Sequence, residues 1–124
     1  MIPFGTAILG ADMTAMAGLL HPDATFTSPA VFRPYQGRAA VLRVLTAATQ
    51  TIEDFAYTGE AHGPGMDVLR FRGRVGQYQL EGVDIVTTGE DGLITDVTVM
   101  VRPLRGLEAL VGGMQEALAR LPDS

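Results

Sequence analysis

Apolar and polar positions alternate most cleanly in the second half of the chain. From Asp67 to Arg74, Leu69 and Phe71 fall on one face and Arg70, Arg72 and Arg74 on the other, the period of a half-buried strand. Leu80 to Pro103 reads as two longer strands. Val83, Ile85 and Val86 lead into Thr87-Thr88-Gly89-Glu90-Asp91-Gly92, and Ile94 to Val101 is rich in Val and Thr. Asp-Gly between two such runs is a strong hairpin signal. A further strand is predicted over Phe55 to His62, closed by Gly63-Pro64-Gly65, and Arg74 to Gln77 forms the next turn. These strands make a meander.

The first half follows a helical period. Met1 to Gly10 is apolar enough for one or two turns. Asp12 suits an N-cap, and Met13, Met16, Leu19 and Leu20 recur at helical spacing, with His21-Pro22 as the expected stop. This Met stripe is read as core packing; lining a pocket is the other reading. Asp23 to Ser28 alternates as a short strand, and Pro29 to Gln36 is a loop carrying Val31, Phe32 and Tyr35. Gly37 opens a helix over Arg38 to Ile52, with Val41, Leu42, Leu45 and Ala48 on one face and Glu53-Asp54 at its exit. Leu104 to Leu121 is expected to be a helix broken at Gly112-Gly113, since each glycine costs about 1 kcal/mol in a helix interior. There is no internal repeat or linker, so residues 1–124 are read as one domain. Helices followed by long antiparallel strands predict an α+β fold, a curved and mostly antiparallel sheet wrapped around helices as a cone with an internal pocket.

Composition narrows the function classes. The chain has 124 residues, 47% of them hydrophobic, and a net charge of −5. An acidic chain with no basic stripe argues against nucleic acid. All nine cations are Arg, which excludes Schiff-base chemistry on a lysine. No Cys is present, so disulfides, thiolate ligands and a Cys nucleophile are excluded. His21 and His62 lack metal-site spacing, and neither metal nor cofactor is implied. No run of 18 apolar residues exists, which argues against a membrane span, and the first 32 residues carry no Arg or Lys. A cytoplasmic protein is the expectation.

One residue breaks the apolar pattern. Asp84 sits inside a strand with apolar neighbours on both sides. A carboxylate on a core face is costly unless paired or protonated, so its proton affinity is expected to rise through desolvation. It is either a hydrogen-bonding or acid/base group in a dry pocket, or a structural carboxylate held by an Arg or a hydroxyl.

The segment DMTAMAGLLHPDATFTSPAVFRPYQGRAAVLRVL resembles the nuclear transport factor 2-like superfamily, with its "PDA" turn after a short helix, then "SP", a loop, "G" and a helix. The segment LEGVDIVTTGEDGLITDVTVMVRPL resembles the closing hairpin of SnoaL-like proteins and ketosteroid isomerases. Ketosteroid isomerases use a Tyr on the first helix, an Asp base after the early strand, and a second, protonated Asp as an oxyanion donor. By this resemblance those positions fall at Phe4, Ser28 and Asp84. Only the last is kept, which argues against steroid isomerisation by that route. The first helix is also shorter than in relatives.

The resemblance implies a pocket lined by Leu20, Leu45, Leu69, Phe71, Leu80, Asp84, Val99 and Val101, with Phe4, Ser28 and Phe32 at the rim. Its expected ligand is a small apolar molecule with one polar oxygen, such as a polyketide-, terpenoid- or steroid-like compound. Two functions are carried forward: a cofactor-free isomerase, cyclase or dehydratase, and a non-catalytic binding or dimerisation module. Val83 and Ile85 lie on the outer sheet face, where a homodimer contact is expected. Arg70, Arg72 and Arg74 are expected to pair there across strands with Gln79 and Glu81, or with a second subunit.

Overall fold

The computed structural model describes residues 1–122. Its elements are α1 (Pro3–Leu9), α2 (Met13–Leu19), β1 (Leu20–Thr27), β2 (Tyr35–Gln36), α3 (Arg38–Thr51), β3 (Glu53–Gly63), β4 (Met66–Val75), β5 (Tyr78–Thr88), β6 (Ile94–Arg102) and α4 (Leu104–Arg120). The strands form one six-stranded sheet in the order β2-β1-β6-β5-β4-β3. All neighbours pair antiparallel except β1 with β6. The sheet is curved and unclosed, and the fold is α+β, as the strand and helix periods imply.

The meander sets the inner face. Leu69 pairs with Asp84 and Asp84 with Val99; one step on, Phe71 pairs with Gly82 and Gly82 with Val101. Positions two apart share a face, so Leu80, Asp84 and Val86 point inward while Glu81, Val83 and Ile85 point outward. The β4–β5 turn needs a left-handed residue, supplied by Gly76 at φ 60°, and the β5–β6 turn uses Gly92 at φ 83°.

The helices cover the concave face. Phe4, Met16, Leu20, Val41, Leu69 and Val97 anchor one buried cluster beneath α1, α2 and α3. Phe71, Leu80 and Leu110 form a second beneath α4. Arg43 of α3 donates to the carbonyl of Leu118 at 2.8 Å and to that of Pro122 at 2.6 Å, tying α3 to the C-terminal end of α4 and the segment just beyond it. On the outer face, Asp96 of β6 accepts from the hydroxyls of Thr25 (2.6 Å), Thr27 (3.2 Å) and Thr98 (2.6 Å). Two of these donors come from β1, so the carboxylate ties the parallel pair together.

Three expectations need correction. α2 ends at Leu19; Leu20 opens β1, and His21-Pro22 lies inside that strand. The ladder between β1 and β6 slips between Leu20 and Thr25, and this irregular stretch tolerates a proline that has no N–H to donate. Tyr35–Gln36 is a short edge strand on β1 where a loop was expected. α4 runs unbroken through Gly112-Gly113. The packing of its apolar face outweighs the propensity cost, and Gly113 marks a close approach to α3. A Cβ there would lie 2.6 Å from Thr51 Cγ2, whereas one at Gly112 meets nothing within 4 Å.

The two glycines therefore respond in opposite directions. Gly112→Ala is expected to raise stability by up to about 1 kcal/mol through helix propensity. Gly113→Ala is expected to leave the protein about 1–3 kcal/mol less stable than Gly112→Ala, because Thr51 is pinned by its own bond to the Ala47 carbonyl. Urea unfolding of the two variants checks the order.

Candidate functional site

A cavity of about 290 Å³ lies between the two buried clusters, and both contribute to its wall. α1 supplies Phe4, Ile8 and Leu9; the segment after β1 supplies Ser28 to Val31; α3 supplies Val44 and Leu45. α4 closes the other side with Leu107, Leu110 and Met114, and the floor is Phe71, Asp84 and Val99 from three adjacent strands.

Asp84 is 7% exposed and is the one buried charged residue among those described. Its Oδ2 accepts a 2.9 Å bond from the hydroxyl of Tyr57. Oδ1 has no protein partner among the described residues and is not sealed from open space, so it is the oxygen presented to the cavity. Burial pushes the Asp84 carboxyl up to about 7, and the bond from Tyr57 opposes that rise with a smaller effect. The phenol of Tyr57 is raised above its ordinary value, first by burial, then by the Asp84 charge and the bond to it.

Tyr57 was not among the residues singled out from the sequence. Its inward direction comes from an irregularity in β3. Glu60 pairs with Leu69 and Gly59 with Arg70, but Tyr57 pairs with Phe71, so Thr58 is the extra residue of a bulge. Counting back from the β3–β4 turn without that bulge sets Tyr57 opposite outward-facing Arg72. A one-residue slip exchanges the two faces of a strand. The ring then reaches across β4 to β5. Phe55 meets it edge-on at 4.9 Å and itself stacks on Phe71 at 5.2 Å.

Of the residues expected at the pocket, Phe4, Ser28, Leu45, Phe71, Asp84 and Val99 stand on the cavity wall. Five do not. Leu20 and Leu69 are sealed in the cluster under the first three helices. Leu80 is packed beneath α4, and half-buried Val101 lies against the same cluster. Phe32 is 100% exposed: Val31 faces the cavity and its neighbour is turned away. The Ser28 hydroxyl accepts from the Ala30 N–H at 2.9 Å, and no base stands against it among the described residues.

The charged groups elsewhere pair at the surface. Arg74 lies opposite Gln79 in the ladder, as expected, but its guanidinium binds Glu53 and Asp54, and Glu81 takes Arg102 at 3.1 Å and Arg70 at 3.8 Å. His62 is exposed between Glu60 and Asp67. His21 lies within β1, its Nδ1 accepting from the Asp23 N–H. No helix among the described residues is long and apolar enough to cross a membrane.

The raised carboxyl has a stability consequence with a fixed sign. The folded chain keeps a proton that the unfolded chain, at its ordinary 3.8, has released, so stability falls as pH rises from about 4 through about 7. The full window corresponds to about 4 kcal/mol. Asp84→Asn removes the ionisation and keeps an oxygen for Tyr57. It is expected to match the wild type near pH 4 and exceed it by several kcal/mol at pH 8 in urea unfolding.

Three structural comparisons bear on this arrangement. A steroid delta-isomerase from Pseudomonas aeruginosa superposes with a TM-score of 0.90 at 39% identity, over 94% of this chain and 86% of that one. An uncharacterised protein with a cystatin-like fold from Silicibacter pomeroyi DSS-3 gives 0.90 at 28% identity, over 95% and 84%. An NTF2-like protein of unknown function from Mesorhizobium loti gives 0.71 at 15% identity, over 81% and 85%, a likeness of fold alone. No curated protein matches. The SnoaL-like domain model matches residues 4–97, a span from the first helix through the carboxyl-bearing β5 into β6. With that match and the shared architecture together, this chain belongs to the SnoaL-like family, within the nuclear transport factor 2-like superfamily.

Proposed function

We propose that the cavity binds a small, largely apolar molecule with one carbonyl oxygen, polyketide-, terpenoid- or steroid-like, and that Asp84 either bonds that oxygen as the neutral acid, with water taking the α-proton, or moves a proton itself as the carboxylate. The reaction classes are isomerisation, cyclisation or dehydration without a cofactor. One observation carries this reading: a buried carboxyl on the floor of an apolar hollow, one oxygen bonded to Tyr57 and the other free, its proton affinity raised by burial. A group that titrates near neutral pH can serve as acid or base at low cost. The open cavity and the hydroxyl beside Asp84 support chemistry over scaffolding.

The likeness to a steroid delta-isomerase supports a steroid-like ligand. The route remains different, because Phe4 has no hydroxyl and Ser28 no activating base. A non-catalytic binding module stands as the second reading. The observation favouring it is that Asp84 is the one carboxylate on the cavity wall among the described residues.

The proposed donor is the neutral acid, so affinity for an enone probe is expected to fall as pH rises through about 7. Asp84→Asn is expected to lose that pH dependence. Exchange of the probe's α-protons in D2O, followed by NMR, separates the readings. Exchange above the buffer rate in the wild type and absent in Asp84→Asn supports the enzyme. Binding without exchange supports the module, and no binding at any pH removes both.

We further propose that the outer face docks a second copy of the chain. Met100 is 57% exposed there, on the register line through Val83 and Arg70, and Ile85 lies one pair further along. Sedimentation at micromolar concentration is expected to give a dimer, and Met100→Arg a monomer.

A further inference from the structure

We propose that Tyr57 is a positioning residue that sends the acid proton of Asp84 into the cavity, so that the site selects hydrogen-bond acceptors over donors and over apolar isosteres. The inference rests on the cavity reading above and deepens it by naming the ligand's chemistry.

Proton placement follows from donor and acceptor accounting. Tyr57 Oη has one hydrogen-bond partner among the described residues, Asp84 Oδ2 at 2.9 Å. The phenol is half-buried, and burial with the neighbouring carboxylate keeps it protonated, so it remains a donor. No other protein acceptor reaches it among the described residues: if Asp84 instead donated to Tyr57, the phenolic proton would lose its protein acceptor, at a cost of about 1–3 kcal/mol where burial keeps water away. Oδ2 is therefore held as the acceptor, and in the neutral acid the proton belongs on Oδ1. That oxygen has no protein partner and faces the hollow.

The phenol is itself fixed. Thr58's bulge directs it inward, and Phe55 packs edge-on to its ring. Tyr57 is not part of the cavity wall, so it acts on a ligand only through Asp84. A carbonyl oxygen meets the Oδ1–H as an acceptor. A hydroxyl or amide N–H offered as a donor meets the proton-bearing Oδ1, a much weaker acceptor than a carboxylate oxygen, while the acid is neutral. Ketones, aldehydes and esters fit this site.

The test has an arm that needs no ligand. In the apo protein, the ¹³C resonance of the Asp84 carboxyl is followed with pH in the wild type and in Tyr57→Phe. Losing the phenol's bond to the charged form is expected to move the midpoint up by about one unit. The second arm uses 2-acetylnaphthalene and 2-isopropenylnaphthalene, which differ by C=O against C=CH2, at about pH 5.5. The wild type is expected to prefer the ketone by roughly fivefold. Tyr57→Phe is expected to lose at least half of that preference while binding the alkene unchanged.

An unmoved or lowered midpoint overturns the proposal, whether or not the probes bind. Where they bind, an unchanged ketone-to-alkene ratio also overturns it. Failure of both probes to bind the wild type defeats the cavity reading instead, and the midpoint still judges Tyr57. Should Tyr57→Phe fail to fold, the wild-type Tyr57 ¹³Cζ resonance replaces it. A step at the Asp84 midpoint supports the pairing, and a flat trace overturns it.

Discussion

A carboxyl placed on the concave face of a sheet has to be satisfied, and here the partner arrives through a single extra residue. Without the bulge at Thr58, Tyr57 would face solvent and Asp84 would be buried with no hydrogen bond. An unpaired buried carboxylate costs far more than the loss of one ladder position. The irregular strand and the acidic side chain thus require each other. Phe55 and Phe71 complete the arrangement by filling the space around the ring that spans β4.

The same requirement explains why the hollow exists where it does. Two apolar clusters are separated by a stretch of floor that carries a polar group. Close packing over Asp84 would leave Oδ1 unsatisfied, whereas open space lets water or a ligand reach it. Phe4 comes to this wall from α1 and brings no hydroxyl. The phenol beside the acid is supplied from a strand instead. Family membership sets the architecture, and the particular chemistry depends on which side chains reach the floor.

Much of this was legible in the residues. Alternation fixed the inward direction of Leu69 and Phe71, and the one acidic residue breaking an apolar strand pointed to Asp84. The helical face of α3 and the hairpin around Asp91-Gly92 follow from periodicity and turn chemistry. What escaped notice are features decided by tertiary structure. A bulge adds a residue without any mark that distinguishes Thr58 from its neighbours. Pro22 reads as a helix stop until the slipped ladder beside it is seen. Gly112-Gly113 reads as a break until α3 is found lying against Gly113. Leu20, Leu69 and Leu80 face inward as expected, but inward-facing residues divide between sealed core and cavity wall, and the alternation that places them says nothing of the difference. Val31 and Phe32 are adjacent and similar, and loop geometry alone decides which one meets the hollow.

The parallel pairing of β1 with β6 carries a consequence for the order in which the protein is made. Thr25 and Asp96, joined by one hydrogen bond, are 71 positions apart. The elements that finish the floor and the far wall, β6 and α4, follow almost everything else in the chain. A nascent chain emerging from the ribosome can form the β4–β5 hairpin early, since its contacts are local. It has no hollow until Leu110 and Met114 have been translated, so during synthesis Asp84 is exposed to water first and enclosed last.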